Sequence, residues 1–351
     1  MSGVATSPPS PILQRGARGE LVWLVIGALV VAALYWYFGA AELVAALGRP
    51  RLGYLAAYFA LALLALLGYG LRWWMVTRAL AASPSLPRLM SARLAGDAVG
   101  ALVPLARLAG EPVRVMLTAK DTETTRATAA VTLDRTLEWL GNMVCAITYV
   151  SIFWLTQRHG SFGGAPLVFI GGMVMLLVSL AIPLMLLRRG NHPLAPLYRW
   201  GRPADRPPSE WRRRVEETER HLARFCQLHP RSFFRGLLLS FAIEGTIVAE
   251  YHCLLLAFGI DVALPTLLLV LVGSGLSQAV PTPGSLGALE ATQVGVLAFA
   301  GGQAALGFVI GIVLRLHETF WMGLGLLVLL GHGATFARWR RARGVRPSAA
   351  S

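Results

Sequence analysis

Val280-Pro281-Thr282-Pro283-Gly284-Ser285-Leu286-Gly287-Ala288-Leu289-Glu290 sets two prolines, two glycines and a carboxylate inside an otherwise apolar run from Ala263 to Ala300. Proline removes a backbone donor and clashes with the preceding turn, so a helix from about Pro265 must break near Pro281 and restart near Ser285. Irregular backbone at membrane depth is tolerated only inside protein or against a water-filled cavity. The competing reading is a tight surface loop between two ordinary spans, since proline and glycine are common in membrane helices.

An earlier echo runs Pro104-Leu105-Ala106-Arg107-Leu108-Ala109-Gly110-Glu111, where a proline again precedes a glutamate by seven positions, as Pro283 precedes Glu290. Each stretch is followed by an apolar helix carrying Arg-x-x-Glu: Arg135 and Glu138 after the first, Arg315 and Glu318 after the second. Two echoes in the same order predict an internal repeat. Paired interrupted segments in two halves of a chain are the sequence pointer to a transporter's substrate site.

The surroundings are those of a membrane protein. The 351 residues are 55% hydrophobic and 14% charged, with a mean hydropathy of +0.59, too apolar for a soluble domain of this size. Of the 32 basic residues all but Lys120 are arginine, and most lie outside the apolar runs, which reads as orientation and lipid-headgroup contact and not as nucleic-acid binding. Cys145, Cys226 and Cys253 have neither disulfide nor metal-ligand spacing, and no Ser-His-Asp set, nucleotide loop or zinc signature is present. No enzyme activity, metal or cofactor is expected.

The predicted fold is all-α and polytopic, with six full spans and two re-entrant or broken-helix hairpins in an inverted repeat. Residues 1–19 read as a disordered cytoplasmic tail, 20–335 as the transmembrane domain and 336–351 as a basic cytoplasmic tail. The spans run from about Leu21 to Ala40, Leu52 to Leu80, Thr128 to Thr156, Pro166 to Leu187, Phe233 to Phe258 and Ala304 to Leu330. Arg72 with Trp73 and Trp74 reads as an interfacial anchor closing the second span. Residues 90–118, with the small-residue ladder Ala92, Gly96 and Gly100, are predicted to form the first hairpin; an amphipathic surface helix is the alternative. The loop 188–231 belongs to an Arg188 to Arg235 stretch holding 12 arginines against five acids, which places it and both termini in the cytoplasm. Within it, Ser209 to Leu228 puts Trp211, Val215, Leu222 and Phe225 on one face, either an amphipathic helix on the inner membrane surface or a solvated linker.

The candidate site comprises Pro104, Arg107, Glu111, Arg114, Asp134, Arg135 and Glu138 from the first half, and Pro283, Gly284, Gly287, Glu290, Arg315 and Glu318 from the second. Arginines Arg107, Arg114, Arg135 and Arg315 stand against eight acids: Asp97, Glu111, Asp134, Glu138, Glu244, Glu250, Glu290 and Glu318. Such an imbalance at membrane depth is met by protonation, by nearby water or by a bound cation. Arg135 reaches Glu138, and Arg315 reaches Glu318, one helical turn along, as static buried pairs or as a binding site. The half-helix amino termini after the two breaks, with the arginines, suit an anionic phosphate headgroup whose tails stay in lipid. Glu111 and Glu290 are expected to face one cavity near the midplane and to take up a proton during transport unless an arginine holds them ionised. Replacing Arg135 or Arg315 by lysine is expected to impair function with expression nearly intact.

The Pro-Gly-x-x-Gly-x-x-Glu element with Val280-Pro-Thr ahead of it, the Pro104…Gly110-Glu111…Arg114 stretch, Asp134-Arg135, and Arg315 with Trp321 resemble the pattern of the lysylphosphatidylglycerol synthase transmembrane-region family. This is the flippase-like domain family, similar to the membrane half of the bacterial multiple peptide resistance factor. The resemblance covers about residues 15–335. Ser285 stands where the family pattern has a second glycine, and Ala106-Arg107-Leu108-Ala109 precede Gly-Glu in the first motif. The family implies a flippase-like transporter of a phospholipid, polyprenyl phosphate or related envelope lipid in the bacterial inner membrane. The alternative is a non-transporting membrane partner of a lipid-modifying or envelope-biosynthesis enzyme. With no aminoacyl-transferase domain before Ser351, lipid lysylation by this chain is not expected. A continuous polar cavity lined by both motifs favours transport; a plugged interior favours the partner role.

Overall fold

The computed structural model describes residues 29, 32–33, 35–36, 50–82, 84–103, 108–119, 122–156, 165–194, 210–280, 282–300 and 303–344. The predicted tail 1–19, nearly all of the first span, Pro104, Arg107 and residues 345–351 lie outside them. The described residues form ten α-helices and no strand. They are α1 (Leu52–Ala79), α2 (Leu86–Leu102), α3 (Gly110–Thr118), α4 (Thr124–Thr156), α5 (Ala165–Arg188), α6 (Glu210–Leu228), α7 (Pro230–Ala257), α8 (Leu264–Ser277), α9 (Ala288–Phe299) and α10 (Ala304–Gly344).

Five of them, α1, α4, α5, α7 and α10, are long and apolar enough to cross a membrane. They coincide with the last five predicted spans. A helix of 24 residues such as α5 is about 36 Å long at 1.5 Å per residue, enough for a hydrocarbon core of about 30 Å. Their outward faces carry exposed Leu63, Leu67, Val168, Met175, Leu238 and Leu327, which only a lipid solvent would tolerate on this scale. The molecule is a polytopic, all-helical membrane protein. Proline sits in the first turn of α2, α7 and α8, where its missing N–H is one the helix start leaves unpaired anyway.

The elements repeat in order as long helix, broken hairpin, long helix: α1, α2/α3, α4, and then α7, α8/α9, α10. Each hairpin folds on itself, α2 on α3 and α8 on α9, while α1 and α7 pack together between the two units. The hairpin arms are exchanged: α2 packs on α10 of the second unit, and α8 on α4 of the first. One apolar core belongs to each unit, the first around Trp73, Leu133, Leu137 and Phe225, the second around Leu255, Leu267, Leu289 and Ile310.

Four local expectations are corrected. After α8 ends at Ser277, the second break holds a short 3-10 turn at Pro283–Ser285, and the helix restarts at Ala288 instead of Ser285. Gly284, Ser285 and Gly287 all have positive φ (59°, 52° and 75°), so the chain must reverse before α9 can begin. Arg72 and Trp73 are buried at 1% and 0% exposure and do not anchor an interface. The apolar face of α6 lies on protein: Leu222, Ala223, Phe225 and Cys226 enter the core with Trp73 and Leu187, and Glu219 Oε1 accepts the Leu194 N–H at 2.7 Å. Finally, α10 runs on to Gly344, past the predicted end at Leu330.

Candidate functional site

In the first unit the hairpin places Gly110 against Gly96. A Cβ at Gly110 would lie 2.1 Å from the Gly96 carbonyl oxygen, so only glycine lets the two arms approach this closely. That approach delivers Glu111 and Arg114 to α4. Arg114 Nη2 donates to Asp134 Oδ2 at 2.6 Å, and its Nη1 donates to Glu111 at 3.1 Å. Arg135 pairs with Glu138 and Glu111, each at 2.7 Å.

Two further arginines complete the cluster, and sequence reasoning missed both. Arg72, from α1, donates Nε to Asp134 Oδ1 at 2.8 Å, Nη2 to Glu138 Oε2 at 2.7 Å and Nη1 to Ser240 Oγ at 3.1 Å. Arg93, from α2, donates Nη2 to Glu138 at 2.9 Å, meets Asp97 at 3.3 Å and Asp134 at 3.4 Å, and stacks 3.8 Å over the Tyr69 ring. Arg114 stacks likewise over Trp73, 4.2 Å from its centroid. Arg72, Arg93, Arg114 and Arg135 thus balance Asp97, Glu111, Asp134 and Glu138. Mutual neutralisation on this scale is what keeps so many ions at membrane depth. The only sequence signal for Arg72 and Arg93 was their position inside helical stretches of low polarity.

The second unit repeats the motif with different bookkeeping. Arg315 donates Nε to Glu290 Oε1 at 2.9 Å and Nη2 to Glu290 Oε2 at 3.1 Å, and its Nη1 meets Glu318 at 3.3 Å. The same guanidinium donates to the carbonyls of Gly284 and Ser285 in the turn. All five of its N–H groups are therefore used, the full capacity of the side chain. Arg135 is less saturated: its Nη2 has no hydrogen-bond partner among the described residues, and its Nε–H does not point along the close Glu111 contact.

The two units thus match at one hairpin glutamate, one arginine and the glutamate three positions after it. Glu111 and Glu290 each come from a hairpin to an arginine, Arg135 or Arg315, that also holds the glutamate three positions on, Glu138 or Glu318. The arginines with their Glu138 and Glu318 partners, and Gly284, line one cavity of about 660 Å³. Its wall also carries Arg93, Asp97, Glu244, Glu250, His317 and the aromatic side chains Tyr69, Trp139, Tyr251 and Trp321. Glu111, Arg114, Asp134, Gly287 and Glu290 are not part of that wall. The expectation that Glu111 and Glu290 face the cavity is corrected: each lies behind the arginine that does, because its carboxylate is drawn to the guanidinium. The side chain of Pro283 lies outside the described atoms, and its backbone opens the 3-10 turn.

A family model described as the lysylphosphatidylglycerol synthase TM region matches residues 22–326. A protein of Methanothermobacter thermautotrophicus described as a UPF0104 membrane protein is 24% identical over 327 residues, covering 86% of this chain and 91% of that one.

Proposed function

The chain belongs to the lysylphosphatidylglycerol synthase TM region family, and on that premise we propose that it moves a lipid with an anionic phosphate headgroup across the bacterial cytoplasmic membrane. The observation that carries this reading is the cavity of about 660 Å³ on which the Arg-x-x-Glu pairs of both units converge. A cavity of that size accommodates a headgroup, and the lipid tails need not leave the bilayer. Arg135, with donor capacity to spare, is the phosphate contact, and Arg315 holds the break of the second hairpin in place. The hairpin arms, of 17 and 9 residues and of 14 and 12, fall short of the roughly 20 residues of a typical span, which supports reading both hairpins as re-entrant. With the basic loop and both termini cytoplasmic, they enter from opposite faces, and exchange of the packed arms opens the cavity to one face at a time. A protein that only positions a partner enzyme has no use for a hollow interior lined from both halves.

Purified protein in vesicles containing fluorescently tagged phosphatidylglycerol tests this. Dithionite added outside is expected to bleach lipid beyond the outer leaflet in wild-type vesicles. Arg135→Lys is expected to slow that phase by about tenfold, since a point charge cannot replace a forked donor. Bleaching no deeper than in protein-free vesicles overturns the proposal.

A further inference from the structure

The two units differ in charge. The first holds four arginines for four acids. The interior of the second has Arg315 for four carboxylates, Glu244, Glu250, Glu290 and Glu318, and Arg315 is spent on Glu290, Glu318 and the turn carbonyls. Glu244 and Glu250, both on α7 and both on the cavity wall, have no arginine partner among the described residues.

The groups that face Glu250 are specific. From α10, His317 brings Nδ1 to 3.5 Å of Glu250 Oε1. From α1, Tyr58 Oη lies 2.7 Å from the same His317 nitrogen and accepts a hydrogen bond from Trp321 Nε1 at 3.2 Å. Since Trp321 can only donate, one lone pair of Tyr58 Oη is taken and its own proton is free to go to His317. His317 Nδ1 therefore stands between a phenol and a carboxylate, able to accept from the first or to donate to either. The α8 sequence brings no ionisable group. From α4, the Asn142 amide, oriented to satisfy both neighbours, donates at 2.8 Å to Glu244 Oε1 and at 2.7 Å to the Glu138 carbonyl. The second of these bonds goes to the backbone one turn back on α4 and so ties Glu244 to that helix. On α7 itself, Tyr251 packs on the His317 ring with centroids 5.4 Å apart.

We propose that Glu250 and His317 form the proton-binding site that couples translocation to a proton gradient. This rests on the translocation reading given above. The pair with ionised carboxylate and neutral imidazole carries one negative charge. One proton taken from the more acidic side makes it neutral, as a carboxylic acid or as an imidazolium–carboxylate pair hydrogen-bonded through Nδ1. Release of that proton to the other side restores the charge. A second unit with excess negative charge repels an anionic headgroup at Arg135, so proton uptake and headgroup binding favour one another, and that coupling is reciprocal. The cycle is a symport of one proton with one anionic lipid. The carboxylates expected from the sequence to carry the proton, Glu111 and Glu290, are instead held against arginine.

Two measurements test the site, the first without transport. Infrared spectroscopy of the full-length protein in detergent is expected to show a protonated-carboxyl band that changes with pH and disappears in Glu250→Gln. A wild-type spectrum with no titrating carboxyl, or one unchanged in Glu250→Gln, overturns the proposal. In vesicles with tagged phosphatidylglycerol, a gradient of about one pH unit is expected to bias lipid distribution up to about tenfold. That bias should vanish in Glu250→Gln and be weakened in His317→Gln. A bias that persists in Glu250→Gln overturns the coupling role. A titrating Glu250 in a protein that moves no lipid retains the proton site and discards the translocation reading.

Discussion

Arg315 and Glu290 meet as fork to fork, Nε to Oε1 at 2.9 Å and Nη2 to Oε2 at 3.1 Å, while the other donors of the same guanidinium close the Gly284–Ser285 turn. This pair ties the restart of the second hairpin to the last long helix. Arg315→Lys keeps the charge but not the fork. It is expected to lower stability by about 2–3 kcal/mol as well as impairing function, unlike the sequence-based expectation that expression would be nearly intact. Thermal unfolding of the purified variant in detergent checks this; a midpoint equal to wild type would show that the turn does not depend on the clamp.

Asp134 is fully buried and is contacted by Arg72, Arg93 and Arg114. Removing its charge leaves three buried cations short of one counter-ion. Asp134→Asn should destabilise the first unit by about 3–5 kcal/mol, more than any single replacement at the rim of the cavity, and yield mostly aggregated protein in size-exclusion chromatography. A monodisperse Asp134→Asn protein of normal stability would mean that the cluster is loosely hydrated.

Gly110→Ala would put a methyl group 2.1 Å from the backbone oxygen of Gly96. Neither partner is a flexible side-chain end, so the arms must part. The expected loss exceeds the usual 1–3 kcal/mol, roughly, of an overpacked core, read as a lower unfolding midpoint. Disulfide trapping between cysteines placed across α2 and α3 should slow in parallel. Unchanged trapping in the alanine variant would contradict the close approach.

Ser285 holds a left-handed backbone, φ 52°. A side chain there costs about 1–2 kcal/mol, partly offset by the chain entropy that glycine forfeits on folding. Ser285→Gly is expected to raise stability by about 0.5–1 kcal/mol, measured as the unfolding midpoint. A fall in that midpoint would place Ser285 in ordinary backbone.

Asp261, exposed between α7 and α8, is expected to face the periplasm, with the Arg188–Arg235 loop inside. Single cysteines at these places, in a background lacking the three native cysteines, should label from outside only at 261. Labelling of the basic loop in intact spheroplasts would dismantle the inverted orientation of the repeats.

The breaks and the pairs next to them were legible because their causes are local. A proline cannot continue a helix, and residues three apart share a face, so Arg135–Glu138 and Arg315–Glu318 follow from spacing alone. The partners of Asp134 were not legible, because Arg72 and Arg93 arrive from other helices, 62 and 41 positions away. Arg72 also sits beside Trp73 and Trp74, a neighbourhood that mimics an interfacial belt, and only packing distinguishes the two. Tyr58 and His317 are 259 positions apart, and no periodicity joins them. The direction in which Glu111 and Glu290 point was misjudged for a related reason: two turns from a break fixes their depth, but the arginine fixes which way they turn.

The exchanged arms have a consequence for how the molecule is made. Leu94 and Ala98 of α2 rest against Gly325 of α10, where an added Cβ would lie 2.3 Å from the Leu94 carbonyl. The first hairpin, although it already meets α1 and α4, therefore lacks one side of its seat until nearly the whole chain has left the ribosome and the last helix has entered the bilayer. Until then four buried arginines and their acids stand beside an unfilled flank, and a chain interrupted before residue 325 presents to the cell's proteases not half a molecule but an unfinished one.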